Sequence, residues 1–105
     1  MLEIAFERNC VEELKALNNS YWPDKSEDGT IRGIPDRVGC VCSIYVAIEF
    51  KRSKSEFNKK TGRIVLQKHT LSCINDAGGM AFVAYPGNWP EVFAKIKQLS
   101  EGFCG

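Results

Sequence analysis

Four polar residues stand where the surrounding pattern of this 105-residue chain calls for apolar ones: Asp36, Glu49, Lys51 and Gln67. In the run IYVAIEFK (44–51), the two-residue period of a strand puts Glu49 and Lys51 on one face and Ile48 and Phe50 on the other. An acid and a base therefore project together from a strand end. Antiparallel pairing with the preceding segment carries Asp36 to the same edge, provided the turn between them is tight or bulged. Two carboxylates held that close repel, and one protonates unless a cation lies between them. Mg²⁺ relieves the conflict, because it prefers hard oxygen ligands and keeps waters that can attack or be exchanged for phosphate oxygens. A lysine beside such a metal offsets the charge that develops on a phosphoryl oxygen. That combination of parts hydrolyses phosphodiesters.

The charge distribution points the same way. The net charge of +1 conceals a division: residues 51–68 hold seven of the fourteen basic residues against one acid, a local +6, and the rest of the chain is −5. Lys51 opens the basic stretch, so the acid–base cluster and a surface for a polyanion are continuous in sequence. Arg52, Lys54, Lys59, Lys60, Arg63 and Lys68 are the residues expected to follow a nucleic-acid backbone.

These residues need elements to hold them. A 44% hydrophobic, 26% charged composition excludes disorder and coiled coil, and the length sets one domain over residues 1–105. Residues 2–18 read as an amphipathic helix burying Phe6, Cys10, Val11, Leu14 and Leu17, ended by Asn18-Asn19-Ser20. A short strand near Tyr21-Trp22 and a polar loop over 23–35 follow. Residues 36–42 and 44–51 form a hairpin turning near Cys42-Ser43. After a basic loop at 52–62, a second helix runs over 63–77 with Ile64, Leu71 and Ile74 inward, stopped by Gly78-Gly79. MAFVAY (80–85) is a buried strand. Asn88 caps a last helix, with Pro90 in its first turn and Glu91 reaching back. The fold class is α/β, a mixed sheet with helices on both faces.

The motif Gly33-Ile34-Pro35-Asp36, then twelve residues, then Glu49-Phe50-Lys51, resembles the PD-(D/E)XK signature of the restriction-endonuclease-like nucleases. Gln67 on the next helix and the strand after Gly78-Gly79 are similar to the VRR-NUC branch of that superfamily, over roughly residues 3–85. The resemblance implies a restriction-endonuclease-like core of α-β-β-β-α-β type with an added C-terminal helix. It implies Mg²⁺ or Mn²⁺ held by Asp36, Glu49 and the Phe50 carbonyl, with Lys51 as the electropositive catalytic group and Gln67 as an orienting partner. Such families add a glutamate from the first helix. Glu3 fits best, since at about 100° per residue it falls amid the apolar face, and Glu7 is in reserve. The implied activity is a structure-selective DNA endonuclease resembling Holliday-junction resolvases, acting on branched DNA as a homodimer and leaving 5′-phosphate and 3′-hydroxyl ends. The long basic stretch between Lys51 and Gln67 departs from the family pattern. A non-catalytic DNA-binding module on the same fold is the alternative.

Cysteine usage sets the remaining expectations. Five cysteines, odd in number and scattered, argue against disulfides, and MLEIAFERNC carries charges where a signal peptide would be apolar. A reduced, cytoplasmic protein without membrane contact is expected. Cys40 and Cys42 lack further zinc ligands and read as small buried hydrophobes, His69 as helix surface, and Asp76 as support for a helix end.

Overall fold

A computed structural model describes residues 3–24, 35–57 and 62–102. The elements are α1 (Glu3–Lys15), β1 (Ser20–Tyr21), β2 (Arg37–Val41), β3 (Ile44–Phe50), α2 (Lys54–Phe57), α3 (Gly62–Asp76), β4 (Met80–Ala84) and α4 (Trp89–Ser100). The strands form one sheet in the order β1-β2-β3-β4, antiparallel across the first two junctions and parallel across the last. This is a mixed α/β architecture. No helix among the described residues is long and apolar enough to cross a membrane.

The β2–β3 hairpin closes through Cys42 and Ser43, at φ 50° and 73°. Two positive φ values in a two-residue loop are the turn whose twist matches that of the paired strands. Register follows from it: Val41 opposes Ile44, and the ladder ends with Arg37 opposite Ile48.

Register also assigns faces. Gly39, Val41, Val46, Ile48 and Phe50 share the face covered by α1 and α4, where Phe6, Cys10, Leu14, Trp22, Val92 and Ile96 complete the core. Phe6 meets Phe50 edge-on at 5.8 Å and Trp89 at 6.4 Å, and Trp89 lies 6.2 Å from Phe50. These three rings pin α1, β3 and α4 together at the end of β3. Gly39 is small because Trp22 lies across it: a Cβ there would come within 2.4 Å of the indole. The opposite face carries Val38, Cys40, Tyr45, Ala47 and Glu49 and receives α3.

α1 is shorter than its periodicity suggests. Its Glu13 and Leu14 carbonyls are taken by tightened bonds from the Ala16 and Leu17 N–H groups, the Ser20 hydroxyl donates to the Leu17 carbonyl just past the helix, and Asn19 turns left-handed at φ 57°. α3 ends as expected, with Gly78 at φ 95° and the Gly79 N–H reaching the Ile74 carbonyl at 3.0 Å.

Three expectations are corrected. Residues 54–57, read as loop, form a helical turn; Ser53-Lys54-Ser55-Glu56 has the Ser-x-x-Glu spacing of a helix start. Asn88 precedes α4 but makes no side-chain cap. Its amide turns back to β4 instead, accepting from the Tyr85 N–H and donating to the Val83 carbonyl, both at 2.8 Å. On β4's outer margin Asn75 likewise accepts the Ala81 N–H at 3.0 Å. An edge strand has unpaired backbone groups, and those groups compete successfully for the two side-chain amides. Finally, Cys40 is exposed rather than buried, and Cys42 is disulfide-bonded, which overturns the expectation of a chain without disulfides. Cys42 belongs to the turn, not the strand, so it packs half-buried at the margin of the core, its sulfur 3.6 Å from the Gly102 carbonyl oxygen.

Candidate active site

The site is built where β2 and β3 run out. The β2–β3 register, extended by one step, sets Asp36 opposite Glu49 and Pro35 opposite Phe50. Lys51 N–H bonds the Ala84 carbonyl at 2.9 Å, so odd-numbered residues of β3 face β4 and Phe50 faces β2. In an antiparallel ladder Phe50 would exchange two hydrogen bonds with its opposite residue. Pro35 has no N–H to give the Phe50 carbonyl. The Phe50 N–H is taken by Asp36 Oδ2 at 2.8 Å. Proline and aspartate thus have distinct local jobs: one ends the ladder, and the other is drawn to the strand end by a charge-assisted bond.

Glu49, Lys51 and Gln67 meet on the α3 side and are all buried, at 1%, 6% and 4% exposure. Gln67 lies on the inward stripe of α3 with Ile64 and Leu71. Its Nε2 donates to Glu49 Oε1 at 3.3 Å, and the Lys51 ammonium is 4.0 Å from that same oxygen. The amide orientation is fixed by charge: turned over, Gln67 would present an oxygen to a carboxylate.

Two unfilled capacities remain. The Gln67 Oε1 is buried with no hydrogen-bond partner among the described residues. The Lys51 ammonium, at 4.0 Å from Glu49, is within Coulombic reach but beyond hydrogen-bond length, and among the described residues it donates no hydrogen bond. A charged pair serving stability alone closes to about 2.7–2.9 Å. A buried polar atom left unmatched costs about 1–3 kcal/mol. Among the described residues the Gln67 oxygen is thus an open acceptor beside the Glu49 carboxylate, able to take a hydroxyl or water, and the Lys51 ammonium stands within Coulombic reach of the same carboxylate.

The other expected residues are distributed as follows. Arg52, Lys54 and Lys68 are exposed near this end of the sheet, where they can meet phosphates. Lys59, Lys60 and the side chains of Glu3 and Arg63 lie outside the described residues. Glu7, the reserve for Glu3, accepts from Arg37 Nε at 2.9 Å with both side chains largely buried, and so clamps α1 to the residue after Asp36. His69 is exposed, 3.6 Å from the Cys73 sulfur. Asp76 is exposed as the last residue of α3.

The donor set suits a hard divalent cation: two carboxylates, Asp36 and Glu49, beside a carbonyl that Pro35 leaves without its ladder donor. Among the described residues no group of three or more His, Cys, Asp or Glu is placed to hold a metal. Cys10, on the opposite face, is no alternative centre. Burial, followed by the Glu13 and Glu7 carboxylates, pushes its thiol up to about 12. No protein-family model, no curated protein and no solved structure matches the chain.

Proposed function

We propose that this chain is a metal-dependent endodeoxyribonuclease that hydrolyses phosphodiester bonds in branched DNA. What supports the reading most is the Lys51 ammonium, buried beside Glu49 and donating no hydrogen bond among the described residues. A cation on a largely buried side chain with donors to spare can take an anion that arrives, and a phosphoryl oxygen has the right charge. Asp36, Glu49 and the Phe50 carbonyl would hold Mg²⁺ or Mn²⁺. When bound, that ion supplies Lewis acidity toward the phosphate and lowers the pKa of a water.

The chain's own groups do the rest. Lys51 donates to the non-bridging oxygen on which charge accumulates as the fifth bond to phosphorus forms. Gln67 holds Glu49 through Nε2 and offers Oε1 to orient an attacking water. The Phe50 N–H holds Asp36 in place. As the water oxygen bonds to phosphorus the P–O3′ bond breaks, the water gives its proton to solvent and the departing 3′ oxygen takes one from solvent, which leaves a 5′-phosphate and a 3′-hydroxyl. Arg52, Lys54 and Lys68 bind the flanking phosphates without reading bases, which suits recognition of DNA shape. Two sites are needed to cut opposed strands, so a two-fold homodimer completes the reading.

The test is cleavage of junction, flap and linear DNA with Mg²⁺ and with EDTA. Asp36→Ala is expected to lower Mg²⁺-dependent cleavage by on the order of 10³-fold while salt-sensitive DNA binding persists. Unchanged cleavage by that variant overturns the site. DNA binding by the unsubstituted chain with no metal-dependent product would leave a binding module in place of an enzyme.

A further inference from the structure

The sheet face that carries Glu49 continues away from the site as an open surface. Register sets Tyr21, Cys40 and Tyr45 in one row across β1, β2 and β3, with Val38 and Ala47 in the next row and Asp36 and Glu49 after that. α3 packs toward β4, and among the described residues no helix packs closely on the β1–β2 half of the face. Tyr21 is 67% exposed and Tyr45 47% exposed, and Cys40 between them is exposed as well. Tyr45 also lines a cleft of about 370 Å³ with Thr70, Cys73 and Ile74 of α3's last turns and with Ala77 just past its end.

We propose that this row is a stacking platform for unpaired nucleotides leading to the scissile phosphate, with bases on Tyr45 and Tyr21. The inference rests on the hydrolase reading for its direction, and four observations carry it. First, both large exposed side chains of the row are aromatic, and a flat ring stacks on any base regardless of sequence. Second, the platform and the site share one face. Tyr45 and Glu49 are four residues apart on β3, about 13 Å at ~3.3 Å per residue. That distance spans about four stacked nucleotides at ~3.4 Å each. Third, a phosphate chain on this path meets no carboxylate among the described strand residues before Asp36 and Glu49, and beyond them it reaches Arg52, Lys54 and Lys68. Fourth, the Tyr45 cleft gives a base room beside the ring. A duplex cannot use the row, because its bases already stack on one another. The platform thus selects the single-stranded arm of a branched substrate.

Binding is measured on the full chain in EDTA by fluorescence anisotropy, with a dye-labelled oligothymidylate and a duplex of equal length. Tyr45→Ala and Tyr21→Ala are each expected to weaken oligothymidylate binding by about 5- to 150-fold, with duplex binding unchanged. Tyr45→Phe, which keeps the ring, is expected to bind as the unsubstituted chain does. Equal oligothymidylate affinity in the alanine variants overturns the platform. So does failure of the unsubstituted chain to bind oligothymidylate, or a loss of self-association in Tyr45→Ala without loss of affinity, which would make the row a contact between copies. Platform and hydrolase fail separately. Ring-dependent binding without Mg²⁺-dependent cleavage keeps the first and removes the second; cleavage with ring-independent binding does the reverse.

Discussion

The two faces of β3 are both buried at its end, yet they are finished to different degrees. On one, Phe50 is locked against Phe6 and Trp89 at centroid distances of 5.8 and 6.2 Å, and packing fills the space. On the other, Glu49 and Lys51 are buried too but stand 4.0 Å apart, next to an amide oxygen with no partner among the described residues. Packing made the first face; the second was withheld from the same completion. The rigid face holds the incomplete one in register, since Phe50 sits between Glu49 and Lys51 in sequence and its N–H secures Asp36.

The contrast can be broken from either side. Phe50→Ala removes the ring that joins α1, β3 and α4, and it is expected to destabilise the fold by about 3–5 kcal/mol, read by urea unfolding. The double change Glu49→Gln with Lys51→Met acts in the opposite sense. It removes both buried charges, keeps an acceptor for Gln67, and is expected to leave stability unchanged or raise it by about 1–4 kcal/mol. Metal-dependent cleavage by this variant should fall by on the order of 10³-fold. A variant that unfolds, or one that still cuts, would show that the two faces are not divided in this way.

A subtler test uses Cys10, buried on the completed face with its thiol at about 12 against an ordinary 9.0. The folded thiol holds its proton more tightly than the unfolded one, so this contribution is fully present below about 9 and is lost as pH rises toward 12. Stability should therefore decline between those limits by up to about 1.4 kcal/mol per pH unit from this group. Cys10→Ala is expected to flatten that decline. A slope identical in the variant would assign it to other groups.

Much of this arrangement was legible in the sequence. Alternation in IYVAIEFK separated Glu49 and Lys51 from Ile48 and Phe50, and the inward stripe of α3 singled out Gln67. The hairpin turn at Cys42-Ser43 then brought Asp36 opposite Glu49. What periodicity cannot convey is how far apart buried groups settle, so the 4.0 Å gap at Lys51 had no sequence signature. Nor does it rank competing acceptors. Asn88 was read as a helix cap because it precedes Trp89-Pro90-Glu91, but the open margin of β4 claimed its amide. The same alternation that marks Glu49 also marks Tyr45, and only the uncovered half of the sheet distinguishes their surroundings.

That margin has a consequence for the life of the protein in a crowded solution. MAFVA in β4 is an uncharged, apolar stretch with strong β propensity, the composition from which fibrils are templated when an edge lies open. Asn75 at the Ala81 N–H, and Asn88 at the Val83 carbonyl and the Tyr85 N–H, occupy three of the backbone groups that an incoming strand would need. Two asparagines thereby act as gatekeepers, blunting toward aggregation an uncharged strand at the margin of the sheet.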